Sequence, residues 1–252
     1  MTQPELQKQD TDILSGRNAV GEALRSGRNI DRILVAKGER NGSIVPLLAK
    51  ARDKQIPVKE VDSRKLESLG GSNHQGIVAI AACKAYAELE DLFRLAEERK
   101  EDPFFIVCDE LEDPHNLGAI LRTAECVGAH GIIIPKRHSV GLTYAVSKAS
   151  AGAVEYMPVA RVSNIAETLN RIKERGVWVY GLDMDGEDRM KSNLSGPIAL
   201  VIGAEGHGLS RLVRERCDGI VSLPMFGKIN SLNASVACGI FMYEVVRSRY
   251  QK

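Results

Sequence analysis

Aromatic residues are scarce: Phe, Trp and Tyr make up 5% of the 252 residues. A sheet that stacks successive single-stranded bases needs aromatic platforms, so that mode of nucleic-acid binding is disfavoured. No apolar stretch nears the roughly 18–20 residues needed to span a bilayer. The first residues, MTQPELQKQDTD, are polar and hold no apolar signal-peptide core. Residues 1–12 therefore read as a short disordered tail, and the protein as cytoplasmic with no membrane partner. The five cysteines (Cys83, Cys108, Cys126, Cys217, Cys238) contain no C-x-x-C pair, which argues against a disulfide framework or a zinc site. Most sit among apolar neighbours and read as buried free thiols. His74, His115, His130, His138 and His207 show no metal-ligand spacing, and no metal is expected. A G-x-S-x-G elbow, which would suggest a serine nucleophile, is also missing.

What is present is a globular composition, 44% hydrophobic and 27% charged, with a real core. The net charge of +1 conceals a strong polarity along the chain. Residues 17–65 hold 12 Lys/Arg against 6 Asp/Glu, whereas residues 88–113 hold 11 acidic residues against 3 basic. Such asymmetry suggests a polyanion partner for the first region, although solvated helix faces give the same count.

Periodicity separates two parts. Residues 19–25, 44–53 and 64–69 are helical in pattern; 30–36, 56–61 and 76–82 are strand-like. They make a small α/β domain over residues 13–85. An acidic helical stretch then joins the halves, so 86–103 reads as a linker. From 104 to 252 strand and helix alternate more regularly. FFIVCDE (104–110), GIIIP (131–135), VEYMPV (154–159), VWVYGLD (177–183), ALVIG (199–203) and GIVSLP (219–224) read as strands. Helices are expected over 117–127, 143–151, 165–175, 209–216 and from 232 to about 249. Apolar strands alternating with helices imply a parallel sheet covered on both faces. Ligands in such sheets bind where loops gather at the carboxyl ends of strands.

Three loops draw attention. In LVIGAEGHGLS (200–210) the glycines follow an apolar strand, yet their order is G-x-x-G-x-G, not the dinucleotide fingerprint, and no Lys-Ser/Thr of a Walker loop follows. Glu205 at its centre would repel a phosphate, so the turn suits a ligand that is neutral or cationic there. A plain tight turn with Glu205 in solvent fits equally. In EDPHNLGAILRTAE (112–125), Asn116 is a candidate helix N-cap and Arg122 falls in a mostly apolar helix. Its guanidinium could fork onto a phosphate or pair with Glu125 at i+3. In SLPMFGKINSLNASVACGIFMYE (222–244), Asn230, Ser231 and Asn233 gather at a helix start, more polar groups than one cap needs.

In this order the three loops resemble the motifs of the SpoU (TrmH-type) RNA 2′-O-methyltransferases of the SPOUT superfamily. NLGAILRTAECVGA resembles the first, LVIGAEGHGLS the second and LPMFGKINSLNASVACGIFMYE the third. The match spans about residues 104–250. GRNAVGEAL (16–24) and HQGIVA (74–79) resemble the small ribosomal-protein-like substrate-binding domain of the subfamily. Within the family the chain is most similar to enzymes that methylate a guanosine ribose in the peptidyl-transferase loop of 23S rRNA.

The resemblance implies a C-terminal α/β knot, a deep trefoil built on a parallel sheet, preceded by a small α/β RNA-binding domain. It implies S-adenosylmethionine as cofactor, a homodimer, and structured RNA as partner. Backbone around Gly203, Leu223, Met225 and Leu232 would line the cofactor pocket. Glu205, Ser231 and Asn233 would shape the site, and Asn116 would orient Arg122. A role for Arg122 as base conflicts with the chemistry of a guanidinium, which stays protonated in proteins; charge stabilisation beside an RNA phosphate is the better chemistry. Arg17 and its basic neighbours would contact RNA phosphates. A transfer-RNA substrate, a non-catalytic ribosome-assembly protein and, more weakly, a nucleotide-dependent oxidoreductase are the alternatives.

Overall fold

The computed structural model describes residues 11–38, 42–82, 84–188 and 194–250. Its contacts divide the chain into two units: Met1–Ala85 with Leu142–Tyr156, and Tyr86–Gly141 with Met157–Lys252.

The first unit is a four-stranded sheet of β1 (Thr11–Ser15), β2 (Ile30–Ala36), β3 (Val58–Val61) and β4 (Ile77–Ala82), in the order β1-β4-β2-β3. β4 runs antiparallel to β1 and β2, while β2 and β3 are parallel. Successive side chains of β4 point to opposite faces. Ile77, Ala79 and Ala81 join the core under α1 (Arg17–Ser26) and α2 (Ile44–Asp53); Val78 and Ile80 join Leu66 of α3 (Ser63–Gly70). Both faces are covered, so this strand reads as one apolar run.

Two expectations change here. Residues 1–10 of the tail lie outside the described residues, but Thr11 and Asp12 open β1 rather than extend a tail. Asp12 is buried and pairs with Arg28 Nη2 at 2.7 Å, while Glu155 lies 2.5 Å from Arg28 Nη1. Glu155 comes from the late segment Leu142–Tyr156, which carries a helix (Tyr144–Ala149) and a 3-10 turn (Ala153–Glu155). The run VEYMPV, expected to be extended from 154, makes that turn first and becomes strand only at Val159. Burial of charge is costly unless paired, and here one guanidinium serves two carboxylates while Lys84 donates to Val154 O.

The second unit is a six-stranded sheet in which every pairing is parallel. Its strands are β5 (Phe104–Cys108), β6 (Gly131–Pro135), β7 (Val159–Val162), β8 (Trp178–Asp188), β9 (Ile198–Ile202) and β10 (Gly219–Ser222), ordered β10-β8-β9-β5-β6-β7. Every residue of β5, β6 and β9 is buried, as a parallel sheet clad on both faces requires. The segment expected to be a linker holds a helix, Leu89–Arg99, whose Leu89, Leu92 and Phe93 enter this core. Its acidic face is partly neutralised: Glu90 Oε2 lies 2.7 Å from Arg175 Nη1. The chain leaves β5 toward β6 and β7 on one side, and later places β9, β8 and β10 on the other. That reversal opens a crevice at the carboxyl ends of the strands. No helix among the described residues is long and apolar enough to cross a membrane.

Candidate active site

The glycine turn after β9 closes on itself. Ala204 N donates to Gly208 O at 3.1 Å, and Gly208 N donates to Ala204 O at 3.0 Å. A Cβ on Gly203 would lie 2.1 Å from Gly208 O, so only glycine permits the approach; Gly208 also has φ +65°. Two amides that a phosphate loop would present are therefore consumed within the turn. Ser210 N, just beyond, donates to Asp109 Oδ2 at 2.8 Å and ties the turn to the end of β5.

Glu205 stands at the tip. Its Oε1 accepts from Asn116 Nδ2 at 2.7 Å and from Asn233 Nδ2 at 3.0 Å. Asn233 Nδ2 also donates to Asn116 Oδ1 at 2.9 Å. Three loops distant in sequence thus meet in one hydrogen-bonded cluster. Asn116 comes from α5 (Pro114–Cys126), which starts three residues before the expected helix. Asp113 caps it by accepting from His115 N, and Pro114 occupies the first helical position, where a missing N–H is harmless. Asn116 is thereby corrected from cap to buried helix residue, its amide free for the cluster. Asn233 keeps the cap role, since its Oδ1 accepts from Ser235 N at 3.0 Å and Val236 N at 3.3 Å at the start of α9 (Ala234–Tyr250).

Beside the cluster lies a cavity of about 590 Å³ lined by Gly203, Glu205, Leu223, Met225, Ser231 and Leu232 among others. That size suits a compact organic ligand. Among the described residues its lining contains Asp183 and Glu205 but no Lys or Arg. Leu223, Met225 and Leu232 offer apolar surface, so the residues fit a ligand with an apolar ring system and no phosphate. β8 supplies a wall, Leu182, Asp183 and Met184, that no motif signals; only its place beside β9 could have pointed to it.

Two expected site residues stand elsewhere. Arg122 is on the exposed face of α5 and does not line the cavity. Among the described residues no hydrogen bond joins it to Asn116, whose amide goes to Glu205 and Asn233. Arg17 sits at the start of α1, donating through Nε to Gln75 O at 3.0 Å and through Nη1 to Ser43 Oγ at 3.1 Å. Of the cysteines, Cys108 and Cys238 are buried, Cys217 is half-buried and Cys126 exposed, while Cys83 lies outside the described residues. Burial pushes the Cys108 and Cys217 thiols up to about 12, which keeps them protonated and poor nucleophiles. Among the described residues no group of three or more His, Cys, Asp or Glu could hold a metal ion.

Comparison with known proteins gives a consistent picture. The SpoU rRNA Methylase family model matches residues 103–243, and one for RNA 2′-O ribose methyltransferase substrate binding matches residues 13–88. A Bacillus subtilis (strain 168) protein, YacO, named for the TrmH family of tRNA/rRNA methyltransferases, is 51% identical over 243 residues, covering 96% of this chain and 97% of its own. Among solved structures, the SpoU methyltransferase AviRb from Streptomyces viridochromogenes, in complex with AdoMet, superposes with a TM-score of 0.82 at 26% identity, covering 96% of this chain and 92% of that one. A TrmH/SpoU tRNA modifying enzyme of A. aeolicus superposes over 64% of this chain and 84% of its own, with a TM-score of 0.55 and 26% identity.

Proposed function

Because the chain belongs to the SpoU family of RNA methyltransferases, whose methyl donor is S-adenosylmethionine, we propose that it methylates the ribose 2′-hydroxyl of a guanosine in the peptidyl-transferase loop of 23S rRNA. The observation that carries the chemistry is the cavity: it lies beside the cluster in which three loops meet, and among the described residues its lining holds two carboxylates and no Lys or Arg. S-adenosylmethionine has no phosphate, and when bound it supplies an electrophilic methyl group on a cationic sulfonium. Gly203 lines the pocket with backbone, and Leu223, Met225 and Leu232 give apolar surface to its adenosine. Glu205, held by both amides, offers that cation a carboxylate of fixed orientation.

Arg122 acts through charge and position. Being exposed on α5, it is open to an RNA phosphate, and its fork stabilises negative charge developing on the 2′-oxygen. The basic surface of the first unit, Arg17 among its residues, supplies a sequence-independent grip on RNA. A second copy of the chain covers an apolar groove between α5 and α9, where Val236 and Tyr243 are 50% and 56% exposed beside Ala119 and Thr123.

The test is methyl transfer from labelled S-adenosylmethionine to total RNA of a strain lacking the protein, followed by primer-extension mapping. Label at one 23S rRNA guanosine ribose is expected. Label in transfer RNA would favour the second reading, which the likeness to the A. aeolicus enzyme supports. No incorporation into either RNA would overturn both.

A further inference from the structure

We propose that Asp183 is a ligand-binding residue of the cavity: its carboxylate receives the ribose hydroxyls of the methyl donor's nucleoside, and Arg214 is the residue that positions it. The proposal rests on the reading of the cavity as the methyl-donor site. It starts from an irregularity in the sheet. β8 pairs with β10 as far as Gly181 opposite Ile220, and the register then jumps so that Glu187 faces Val221. Residues 182–186 are thus released from β10, while Leu182 remains paired with Ile202 at the end of β9. A bulge of this kind re-aims side chains. It returns to the sheet at Gly186, where a Cβ would lie 2.7 Å from both C and O of Ile220.

The bulge places Asp183 on the cavity wall, against the glycine turn. A Cβ on Gly208 would lie 3.0 Å from Asp183 Oδ2. The carboxylate is held from two directions: Oδ1 accepts from Met184 N at 2.7 Å, and Oδ2 accepts from Arg214 Nη1 at 2.7 Å. Arg214, on the helix α8 (Arg211–Arg216), is itself fixed by Asp185, whose Oδ1 lies 2.7 Å from its Nη2. The Asp185 carboxylate raises the Arg214 pKa further, so the holder stays charged. Side-chain exposure of Asp183 is 18%.

A carboxylate offers about four lone-pair sites and accepts only. Two are filled by the chain, leaving acceptor capacity on a side chain that faces the cavity. A vicinal diol, which presents two O–H donors on one rigid ring, matches it. The same logic governs strand-end carboxylates beside glycine turns in parallel sheets, which take ribose hydroxyls. Loss of a charge-assisted hydrogen bond to a ligand lowers affinity by about 10–100-fold.

The experiment is calorimetric titration of the full-length protein with three probes. S-adenosylhomocysteine and 5′-methylthioadenosine both keep the ribose diol, and the second lacks the amino-acid part. The third is the 2′,3′-dideoxy analogue of S-adenosylhomocysteine. Asp183→Asn and Asp183→Ala are expected to lose about 10–100-fold for the first two probes and almost nothing for the third. Arg214→Gln should show a smaller loss with the same pattern, with thermal melting verifying that each variant is folded. An equal loss for all three probes would mean that Asp183 only shapes the wall, and would overturn the proposal. A loss for S-adenosylhomocysteine alone would assign the carboxylate to the ligand's ammonium instead, and equally overturn it. If the wild-type protein binds none of the probes, the methyl-donor reading itself fails, an outcome distinct from the other two.

Discussion

Asn233→Asp isolates the electrostatics of the cluster, because the change keeps the cap and reverses one hydrogen-bonding group. The new side chain still offers an oxygen to Ser235 N and Val236 N, and Asp is as good an N-cap as Asn. A negative charge at that helix start is worth a further 0.3–1 kcal/mol or so. Opposite the cap, the second oxygen replaces the amide that now donates to Glu205 Oε1 at 3.0 Å. Two carboxylate charges about 3 Å apart repel by roughly 5 kcal/mol at an effective dielectric of 20, and by about 1.4 kcal/mol in bulk water. The site is partly open to solvent, so about 2 kcal/mol is a fair magnitude, or some 30-fold in an equilibrium. Binding a proton between the two carboxylates relieves the repulsion and restores an O–H···O bond.

The variant should therefore lose about 2 kcal/mol of folding stability relative to wild type at pH 8, and recover most of that loss by pH 5. Asn233→Ala is the control: it loses the cap, about 1 kcal/mol of stability, without the recovery in acid. Urea denaturation of both variants across pH 5–8 reads the two effects separately. A pH-independent stability difference for Asn233→Asp, or wild-type stability at pH 8, would refute the reasoning.

Other consequences follow from single contacts. Gly203→Ala drives a methyl group into Gly208 O, so the paired turn must open; a loss of roughly 2–4 kcal/mol in urea stability and of measurable donor binding is expected. A stable, binding-competent variant would show the turn to be pliable. His130 is buried and accepts from Phe104 N through Nδ1 at 3.0 Å, and burial holds its pKa below the usual value. The unfolded chain then takes up the proton first, so stability present above pH ~6.5 should fall as pH drops toward the lowered folded pKa. His130→Asn should flatten that slope in urea titrations, and an unchanged slope would assign it to other groups. Burial lowers Lys84 to about 8, so the unfolded chain holds its proton to higher pH. Wild-type stability should gain about 3 kcal/mol between pH 8 and 10.5 relative to Lys84→Met, and equal curves would sink the assignment. Because Leu142–Tyr156 packs into the first unit, RNA grip is better tested by charge reversal than by deleting residues 1–85. Arg64→Glu with Lys65→Glu should lower RNA affinity and its salt slope while leaving S-adenosylhomocysteine binding intact.

The parts of this fold legible from sequence are those in which one residue type repeats for one physical reason. FFIVC, GIIIP and IALVI are apolar at nearly every position because helices cover both sheet faces, and each is a strand. Signals that serve two purposes are harder to read. Pro114 both discourages helix before it and suits the first position of a helix, and only Asp113 accepting from His115 N shows which applies. Asn233 offers the same amide chemistry to a cap and to a cluster, and the structure uses both ends of it at once.

Strand order is the least legible level, because a parallel sheet of Val and Ile residues pairs through backbone groups that every residue carries. Nothing local places β8 between β10 and β9, yet that order brings Asp183 to the glycine turn. Glu205 shows the converse. Its presence in a glycine turn argues against a phosphate from sequence alone, since repulsion needs only charge. Which donors would hold it, Asn116 and Asn233, depended on a fold that brings residues 89 and 28 positions away within 3.0 Å. Charge sign can exclude a ligand class from sequence alone, but the partner of a charge is a property of topology.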